Sequence, residues 1–198
     1  FDGKSVLYDF PKILIYLNAK GKLLFGKKFR IYDEDKGILL KLCSYFIKDK
    51  DNCEKFEIDI EKGILLSGPV GCGKTSLMKL LRHIVPLQRP YEMIPCRNVT
   101  FSFNHIGYKT IKDYGDTKFF CFDDLGVEPT GRHYGKDCNV MGEILLPPYE
   151  LFVNRQIKTH CTINLNAKEL EESYDKRVRS RIRQMFNLVA FEKDSKDK

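Results

Sequence analysis

The chain has 198 residues, of which 42% are hydrophobic and 31% charged, and its net charge is +7 at pH 7. This length suits one sizeable α/β domain, and the composition is not that of a disordered chain. No apolar run approaches the roughly 20 residues of a membrane span, and the seven cysteines include no C-x-x-C pair. We therefore expect a cytoplasmic protein without a disulfide framework, whose positive charge suits an anionic partner.

The first third of the chain is predicted to be mostly helical. Residues 10–24 are expected to form a helix that ends in a turn at Gly21, and residues 35–47 carry apolar side chains at helical spacing. A charged loop is predicted over 49–55, and the alternation in 56–60 predicts a short extended segment.

The chain begins without a methionine, so we expect residues ahead of Phe1. Residues 1–34 are assigned to an N-terminal helical or extended segment, which could be the end of a preceding domain. Residues 35–198 are assigned to the core domain.

The strongest motif lies between an apolar run ending at Leu66 and a helical pattern beginning at Leu77. Gly68, Gly73, Lys74 and Thr75 match G-x-x-x-x-G-K-[ST], the phosphate-binding pattern of a strand–loop–helix unit. Its glycines let backbone N–H groups surround a polyphosphate, its lysine reaches the β and γ phosphates, and its hydroxyl holds Mg²⁺. The predicted phosphate-contacting residues are Gly68, Pro69, Val70, Gly71, Cys72, Gly73, Lys74, Thr75 and Ser76. The alternative is a chance glycine loop, against which four specified positions argue.

Beyond this loop the helix is expected to continue to about Ile84 and to stop before Pro86. A strand is predicted around Met93 and Ile94. Residues 97–114 fit both a strand alternation and a helix face, and the resemblance described below favours the helix.

Residues 118–126 form the second strong signal, because a short apolar run ends on Asp123 and Asp124. Central parallel strands deliver side chains to the carboxyl edge of their sheet, where the phosphate loop also lies. There Asp123 would hold Mg²⁺ through water, and Asp124 could orient or deprotonate an attacking water. The alternative is a strand end with two solvated acids.

Residues 128–137 are predicted to be a mobile surface loop. Asn139 can cap a helix that a proline pair should kink. The apolar face of that helix is expected to include Met141, Ile144, Leu145 and Leu151, and the prolines are Pro147 and Pro148.

Residues 158–166 are predicted to form another parallel strand, with Asn164 near its end, where it could reach the γ phosphate or the attacking water. A capping box at 166–169 should start a short helix. A basic stretch with an apolar helix face then precedes a closing strand at 188–191. Its arginines are Arg177, Arg179, Arg181 and Arg183.

With these pieces in line, the chain resembles the AAA+ ATPases of the DnaC/IstB group, which are bacterial helicase loaders and transposition helper ATPases. The resemblance rests on the motifs at 62–75, 121–128, 159–166 and 174–181. It implies an α/β P-loop NTPase fold, with a mostly parallel sheet, helices on both faces and no full helical lid.

The resemblance also implies roles for single residues. Asp123 matches the metal-binding acid, Asp124 the adjoining catalytic acid, and Asn164 the sensor-1 position. Arg177 and Arg181 match the segment where relatives carry an arginine finger, which completes the active site of a neighbouring subunit. The alternative is a solvated or DNA-facing arginine surface.

These observations predict a Mg²⁺-dependent ATPase that forms homo-oligomers on binding ATP and acts on DNA and a DNA-bound protein, a helicase or a transposase. A second reading is a nucleotide-gated binding module that barely hydrolyses ATP, because Asp124 is one methylene shorter than the usual glutamate. A small-molecule P-loop kinase is a third. A GTPase is disfavoured because residues 164–167 do not match the Asn-Lys-x-Asp guanine-reading motif.

Overall fold

The computed structural model describes residues 7–85, 90–115, 119–146, 158–192, 194–195 and 197–198. They divide into two compact units, one within Phe1–Ile60 and Ser76–Pro90, the other within Glu61–Thr75 and Tyr91–Lys198. None of the helices in these ranges combines the length and the apolarity needed to cross a membrane. The predicted division at residue 35 stays a prediction.

The first unit begins with helix α1 (Phe10–Phe25), whose N-terminus is capped by Asp9. The turn predicted at Gly21 is wrong, because this residue is buried inside the helix. A Cβ added there would lie 2.1 Å from the Phe29 ring. Gly21 therefore gives room to an aromatic side chain and does not end the helix.

Helix α2 (Lys36–Ile47) confirms the prediction for 35–47. The charged loop predicted at 49–55 is wrong, because Lys50–Lys55 forms helix α3. The Asp49 side chain accepts a hydrogen bond from the Asn52 N–H at 3.1 Å, which starts this helix. Residues 56–60 form no strand, since the chain turns at Phe56 as soon as α3 ends.

The second unit is built on a five-stranded sheet with the order β2-β3-β6-β1-β7, in which every neighbouring pair is parallel. Strands β4 and β5 form a separate antiparallel hairpin. The strands are β1 (Gly63–Ser67), β2 (Glu92–Pro95), β3 (Phe120–Leu125), β4 (Gly131–His133), β5 (Lys136–Cys138), β6 (His160–Ile163) and β7 (Phe186–Ala190). Strands predicted around Met93 and within 118–126, 158–166 and 188–191 are confirmed, as is the α/β class.

The described residues contain six further helices: α4 (Lys74–Leu81), α5 (Cys96–Ile106), α6 (Lys109–Gly115), α7 (Val140–Leu145), α8 (Ala167–Ser173) and α9 (Lys176–Met185). The helix favoured over 97–114 is present as α5 and α6, which separate at Gly107, where φ is +66°. Asn139 caps α7, and Asn166 with Glu169 forms the predicted capping box of α8. The predicted features at Pro86, Pro147, Pro148 and Leu151 lie outside the described residues.

The apolar core of the second unit combines the central strands with one face each of α5, α7 and α9. Its fully buried members include Phe103, Phe122, Leu125 and Met141. Because β3 and β6 are interior strands of this sheet, their apolar residues are buried, and the two acids of β3 lie toward its carboxyl end.

The mobile loop predicted at 128–137 is wrong, since most of it forms the β4–β5 hairpin. Tyr134 and Gly135 make its turn with φ values of +48° and +76°, the geometry of a tight type I′ turn. The hairpin is held to α5, because the Arg132 N–H donates to Asn104 Oδ1 at 2.6 Å. Tyrosine is a weak signal for such a turn, which explains the wrong prediction.

His160 is a buried histidine that joins β6 to β1. Its Nδ1 accepts a hydrogen bond from the Ile64 N–H at 3.0 Å, and its ring lies edge-on to Tyr91. Burial, with a smaller contribution from Lys158, lowers the pKa of His160 to about 3. The folded protein therefore holds a neutral imidazole whose proton lies on Nε2.

We expect acid to destabilise the fold through His160. The unfolded chain takes up a proton near pH 6.5, whereas the folded chain resists protonation down to a pKa of about 3. The stabilisation is complete above pH 6.5 and is lost as the pH falls toward 3, so about 2 kcal/mol should disappear between pH 7 and 5. Urea unfolding of the wild type and of His160→Asn, which keeps an acceptor for the Ile64 N–H, should differ in this pH dependence.

His105→Asn, made on the exposed surface of α5, controls for the loss of a histidine as such. An equal loss of unfolding free energy in the wild type and in His160→Asn would contradict the assignment.

Candidate functional site

The phosphate-binding motif forms a tight loop between β1 and α4. Gly71 and Gly73 have φ values of +79° and +95°, which suit glycine and turn the backbone sharply. Lys74 is buried at the start of α4, and its Nζ donates to the carbonyl oxygens of Gly68 at 2.8 Å and Pro69 at 2.7 Å. The ammonium group is thus held inside the loop, at the amino end of a helix where anions are favoured.

The other predicted residues of the loop differ in exposure. Cys72 is buried, and its Sγ lies 3.0 Å from the position that a Gly68 Cβ would occupy. Val70 is 77% exposed, and Ser76 is half-buried on α4. Cys72 therefore packs under the loop, whereas Val70 lies on its outer surface.

The end of the chain runs beside this loop. The Lys198 N–H donates to the Gly71 carbonyl oxygen at 3.1 Å, and the Phe191 N–H donates to the Ser67 carbonyl oxygen at 2.8 Å. A Cβ added at Gly71 would meet the Asp197 carboxylate at 2.0 Å. The Asp197 carboxylate therefore lies next to the phosphate loop of its own chain.

Asp123 connects the loop to the centre of the sheet. Its Oδ1 accepts hydrogen bonds from the Thr75 hydroxyl at 2.9 Å and from the Thr162 hydroxyl at 2.6 Å. No described residue donates a hydrogen bond to Asp123 Oδ2. The two predicted metal-binding residues, Thr75 and Asp123, are therefore in direct contact, although 48 positions separate them.

Asp124 lies beside Asp123 in an unusual backbone conformation. The register between β3 and β6 shifts between Phe122 and Leu125, so that Asp123 and Asp124 together lie opposite Thr162. Asp124 has a φ of +56°, and its N–H donates to the Thr162 hydroxyl oxygen at 2.9 Å. Aspartate tolerates this left-handed region better than most residues.

The Asp124 side chain is exposed, unlike that of Asp123. Partial desolvation and the neighbouring charge of Asp123 raise the pKa of Asp124, while Lys74 acts in the opposite direction. A carboxylate with a raised pKa is a better proton acceptor than an ordinary one. The bulge therefore separates the buried acid Asp123 from the exposed acid Asp124, whose pKa is raised above its ordinary value.

Asn164 immediately follows β6, at the same edge. The Ile163 carbonyl oxygen accepts a hydrogen bond from the Gly68 N–H at 3.2 Å, which ties the end of β6 to the start of the phosphate loop. Asn164 Oδ1 is a buried atom with no hydrogen-bond partner among the described residues. Buried polar atoms are nearly always paired, so this oxygen is suited to a ligand or a water.

The two predicted finger arginines lie on α9. Arg177 is exposed and forms an ion pair with Asp175, the residue that caps this helix. Arg181 is half-buried and donates to Gln184 at 3.2 Å. Val178 and Ile182 lie on the buried face of the helix, whereas the Arg177 side chain is exposed.

The sequence reading missed three residues of this edge. Thr162 bonds both acids, as described above. Glu128 accepts a hydrogen bond from the Gly126 N–H at 2.7 Å and another from the Tyr174 hydroxyl. Burial and Glu128 raise the pKa of Tyr174 well above its usual range, so the phenol stays protonated as a donor.

A polar residue within a buried strand, such as Thr162, was a usable signal, since its hydroxyl needs a partner.

No model of a known protein family matches the chain, and no curated protein matches it either. Solved structures do match. A DnaC helicase loader structure is 17% identical with a TM-score of 0.56, over 84% of this chain and 94% of that chain. A DnaI structure is 18% identical with a TM-score of 0.58, over 85% and 90%. The replication initiator DnaA bound to AMPPCP and single-stranded DNA is 16% identical with a TM-score of 0.56, over 92% and 53%.

The parallel sheet with its phosphate loop defines the P-loop class of α/β proteins. Within that class the chain has a DnaC-like AAA+ fold, as its sequence predicted. The described residues include no long helical lid.

Proposed function

We propose that this protein is a cytoplasmic Mg²⁺-dependent ATPase that assembles on binding ATP and acts on DNA and a DNA-bound protein, as a helicase loader or transposition helper would. The observation that carries the proposal is the contact between Thr75 of the phosphate loop and Asp123 of β3. A structure of similar fold also supports the proposal, because that protein, the replication initiator DnaA, is bound to AMPPCP and single-stranded DNA.

The residues present fit a magnesium ion. Thr75 and Asp123 offer hard oxygen ligands, and both hydroxyl donors bond Oδ1 of Asp123, which leaves Oδ2 without a donor among the described residues. When bound, Mg²⁺ would neutralise negative charge on the phosphates. Thr75 and Asp123 would hold it, Lys74 would bind the same phosphates, and the loop N–H groups would orient them.

Asp124 and Asn164 supply the groups that hydrolysis needs beyond binding. The exposed carboxylate of Asp124, with its raised pKa, can orient the attacking water and accept its proton. Asn164 Oδ1, which has no partner in the part of the chain that the structure describes, can accept a hydrogen bond from the same water, or the Asn164 amide can donate to the γ phosphate. Water would attack the terminal phosphorus, and ADP would leave with phosphate as the second product.

We expect Asp124→Asn to bind ATP almost as tightly as the wild type and to hydrolyse it about 10²- to 10⁴-fold more slowly, because it removes the proton acceptor. Asparagine suits the left-handed conformation at this position, so the substitution tests the charge and not the backbone. Lys74→Ala should lose binding itself. In the wild type the raised pKa of Asp124 should move the acid limb of the kcat profile to higher pH.

These measurements also separate the alternatives. Tight ATP binding by the wild type without phosphate release, with DNA present, would indicate a nucleotide-gated binding module. Transfer of the phosphoryl group to a nucleoside would indicate a kinase. Wild-type turnover in Lys74→Ala or in Asp123→Ala would contradict the assignment of the whole site.

Assembly would complete the site through α9. The Arg177 side chain is 79% exposed, and its partner among the described residues is Asp175 at the start of the same helix, so it can reach a neighbouring subunit. A guanidinium placed there would neutralise charge that develops on the transferred phosphoryl group.

Mixing inactive variants tests this arrangement. Arg177→Ala and Arg181→Ala each keep the phosphate loop, whereas Lys74→Ala keeps the arginines, so ATPase activity should return when one of the arginine variants is mixed with Lys74→Ala. Arg183→Ala, an exposed neighbour on α9, should be active alone. If no mixture recovers activity, neither arginine acts between subunits.

DNA would bind on an aromatic surface formed by Tyr108, His133 and Tyr134. Tyr134 is 93% exposed at the hairpin tip, and its ring centroid lies 4.4 Å from that of His133. Tyr108 is 63% exposed and reaches this pair through Phe103. Exposed aromatic rings stack on unpaired bases, and the exposed lysines beside them, Lys109 and Lys136, can contact phosphates.

We expect Tyr134→Ala to weaken binding of a fluorescent 20-nucleotide single strand about 5- to 100-fold at fixed salt, because one stacked base is worth about 1–3 kcal/mol. Tyr134→Phe keeps the ring and should bind as the wild type does. Tyr16→Ala, a half-exposed tyrosine on α1, is the control for loss of an aromatic residue elsewhere. Unchanged anisotropy titrations for Tyr134→Ala would exclude this surface.

A further inference from the structure

Thr162 forms hydrogen bonds with both acids of the site. Its hydroxyl donates to Asp123 Oδ1 at 2.6 Å and accepts from the Asp124 N–H at 2.9 Å. The residue is fully buried in β6, between β3 and β1 in the sheet. One hydroxyl therefore serves as donor to one acid and acceptor for the other.

This arrangement compensates for the bulge in β3. The register shift takes Asp124 out of the regular ladder, and its backbone N–H needs another acceptor. The Thr162 hydroxyl is that acceptor, and it holds Asp124 at a φ of +56°. Aspartate tolerates this conformation better than most residues, and the hydrogen bond to Thr162 stabilises it further.

The same hydroxyl orients the Asp123 carboxylate. Thr75 and Thr162 bond a single oxygen of Asp123, which fixes the plane of the carboxylate and leaves Oδ2 without a described donor. A carboxylate that ligates or faces a metal depends on such a bond for its orientation, and loss of the bond typically costs 10- to 100-fold in metal affinity or activity.

We propose that Thr162 is the positioning residue of this site. Its hydroxyl orients the Asp123 carboxylate toward Mg²⁺ and holds the Asp124 backbone so that the Asp124 carboxylate faces the attacking water. The proposal deepens the proposed function and rests on it. Thr162 touches neither nucleotide nor metal in this scheme, and it acts only through the two acids.

The test compares Thr162→Ala with Thr162→Ser, which differ by one oxygen atom. Thr110→Ala and Thr110→Ser form the matched control pair, because Thr110 is also fully buried but its hydroxyl has no partner among the described residues. Two quantities are measured: the Mg²⁺ concentration that gives half-maximal binding of a fluorescent ATP analogue, and kcat. The first needs no turnover, so it remains informative if the wild type binds ATP without hydrolysing it.

We expect Thr162→Ala to need about 10- to 100-fold more Mg²⁺ and to lower kcat by a similar factor, with nucleotide binding in the absence of Mg²⁺ unchanged. Thr162→Ser should recover most of both losses. The Thr110 pair should show no difference between alanine and serine in either quantity. Should Thr162→Ala not fold, Thr162→Val keeps the volume and replaces it in the comparison.

Equal Mg²⁺ requirements for the alanine and serine variants would overturn the proposal, because the hydroxyl would then be irrelevant and only packing would matter. A wild type with a Mg²⁺-dependent affinity but no turnover would refute the ATPase and leave Thr162 to be decided by the binding measurement. A wild type whose nucleotide affinity ignores Mg²⁺ would overturn both.

Discussion

The site depends on one carboxylate oxygen. Asp123 Oδ1 accepts hydrogen bonds from two hydroxyl groups, those of Thr75 at the start of α4 and of Thr162 within β6. The strand order makes this possible, because β6 lies between β3 and β1, the strand that leads into the phosphate loop. Three adjacent parallel strands therefore bring their carboxyl ends together, and the loop, the two acids and Asn164 meet there because each follows or ends one of these strands.

Much of this could be predicted from the sequence, because the relevant signals are local. The phosphate motif spans eight consecutive positions and carries its own strand and helix context. The run that ends on Asp123 is apolar because β3 is covered on both faces, and the caps at Asn139 and Asn166 act within a single turn. The position of these residues at one sheet edge follows from the rule that neighbouring parallel strands bring their carboxyl ends together.

The remaining features depend on partners distant in the chain, and so the sequence alone did not reveal them. Gly21 was read as a turn because the Phe29 ring that needs its space cannot be seen from spacing. The hairpin at 131–138 depends on its attachment to Asn104 and on two residues with positive φ. Thr162 has its role because of a register shift in the neighbouring strand, and no periodicity in either strand predicts where a bulge falls.

The energetics of Asp123 favour a cation site over a purely structural role. A buried carboxylate loses much hydration, and proteins usually offset this loss with a paired cation. None of the described lysines or arginines forms an ion pair with Asp123, and the nearby Lys74 ammonium instead bonds the carbonyls of Gly68 and Pro69. Two hydroxyl donors orient the Asp123 charge without neutralising it. A buried carboxylate oriented in this way, beside a bulge in which Asp124 has a positive φ, departs from what stability alone would select. Such departures are expected where a site binds a ligand.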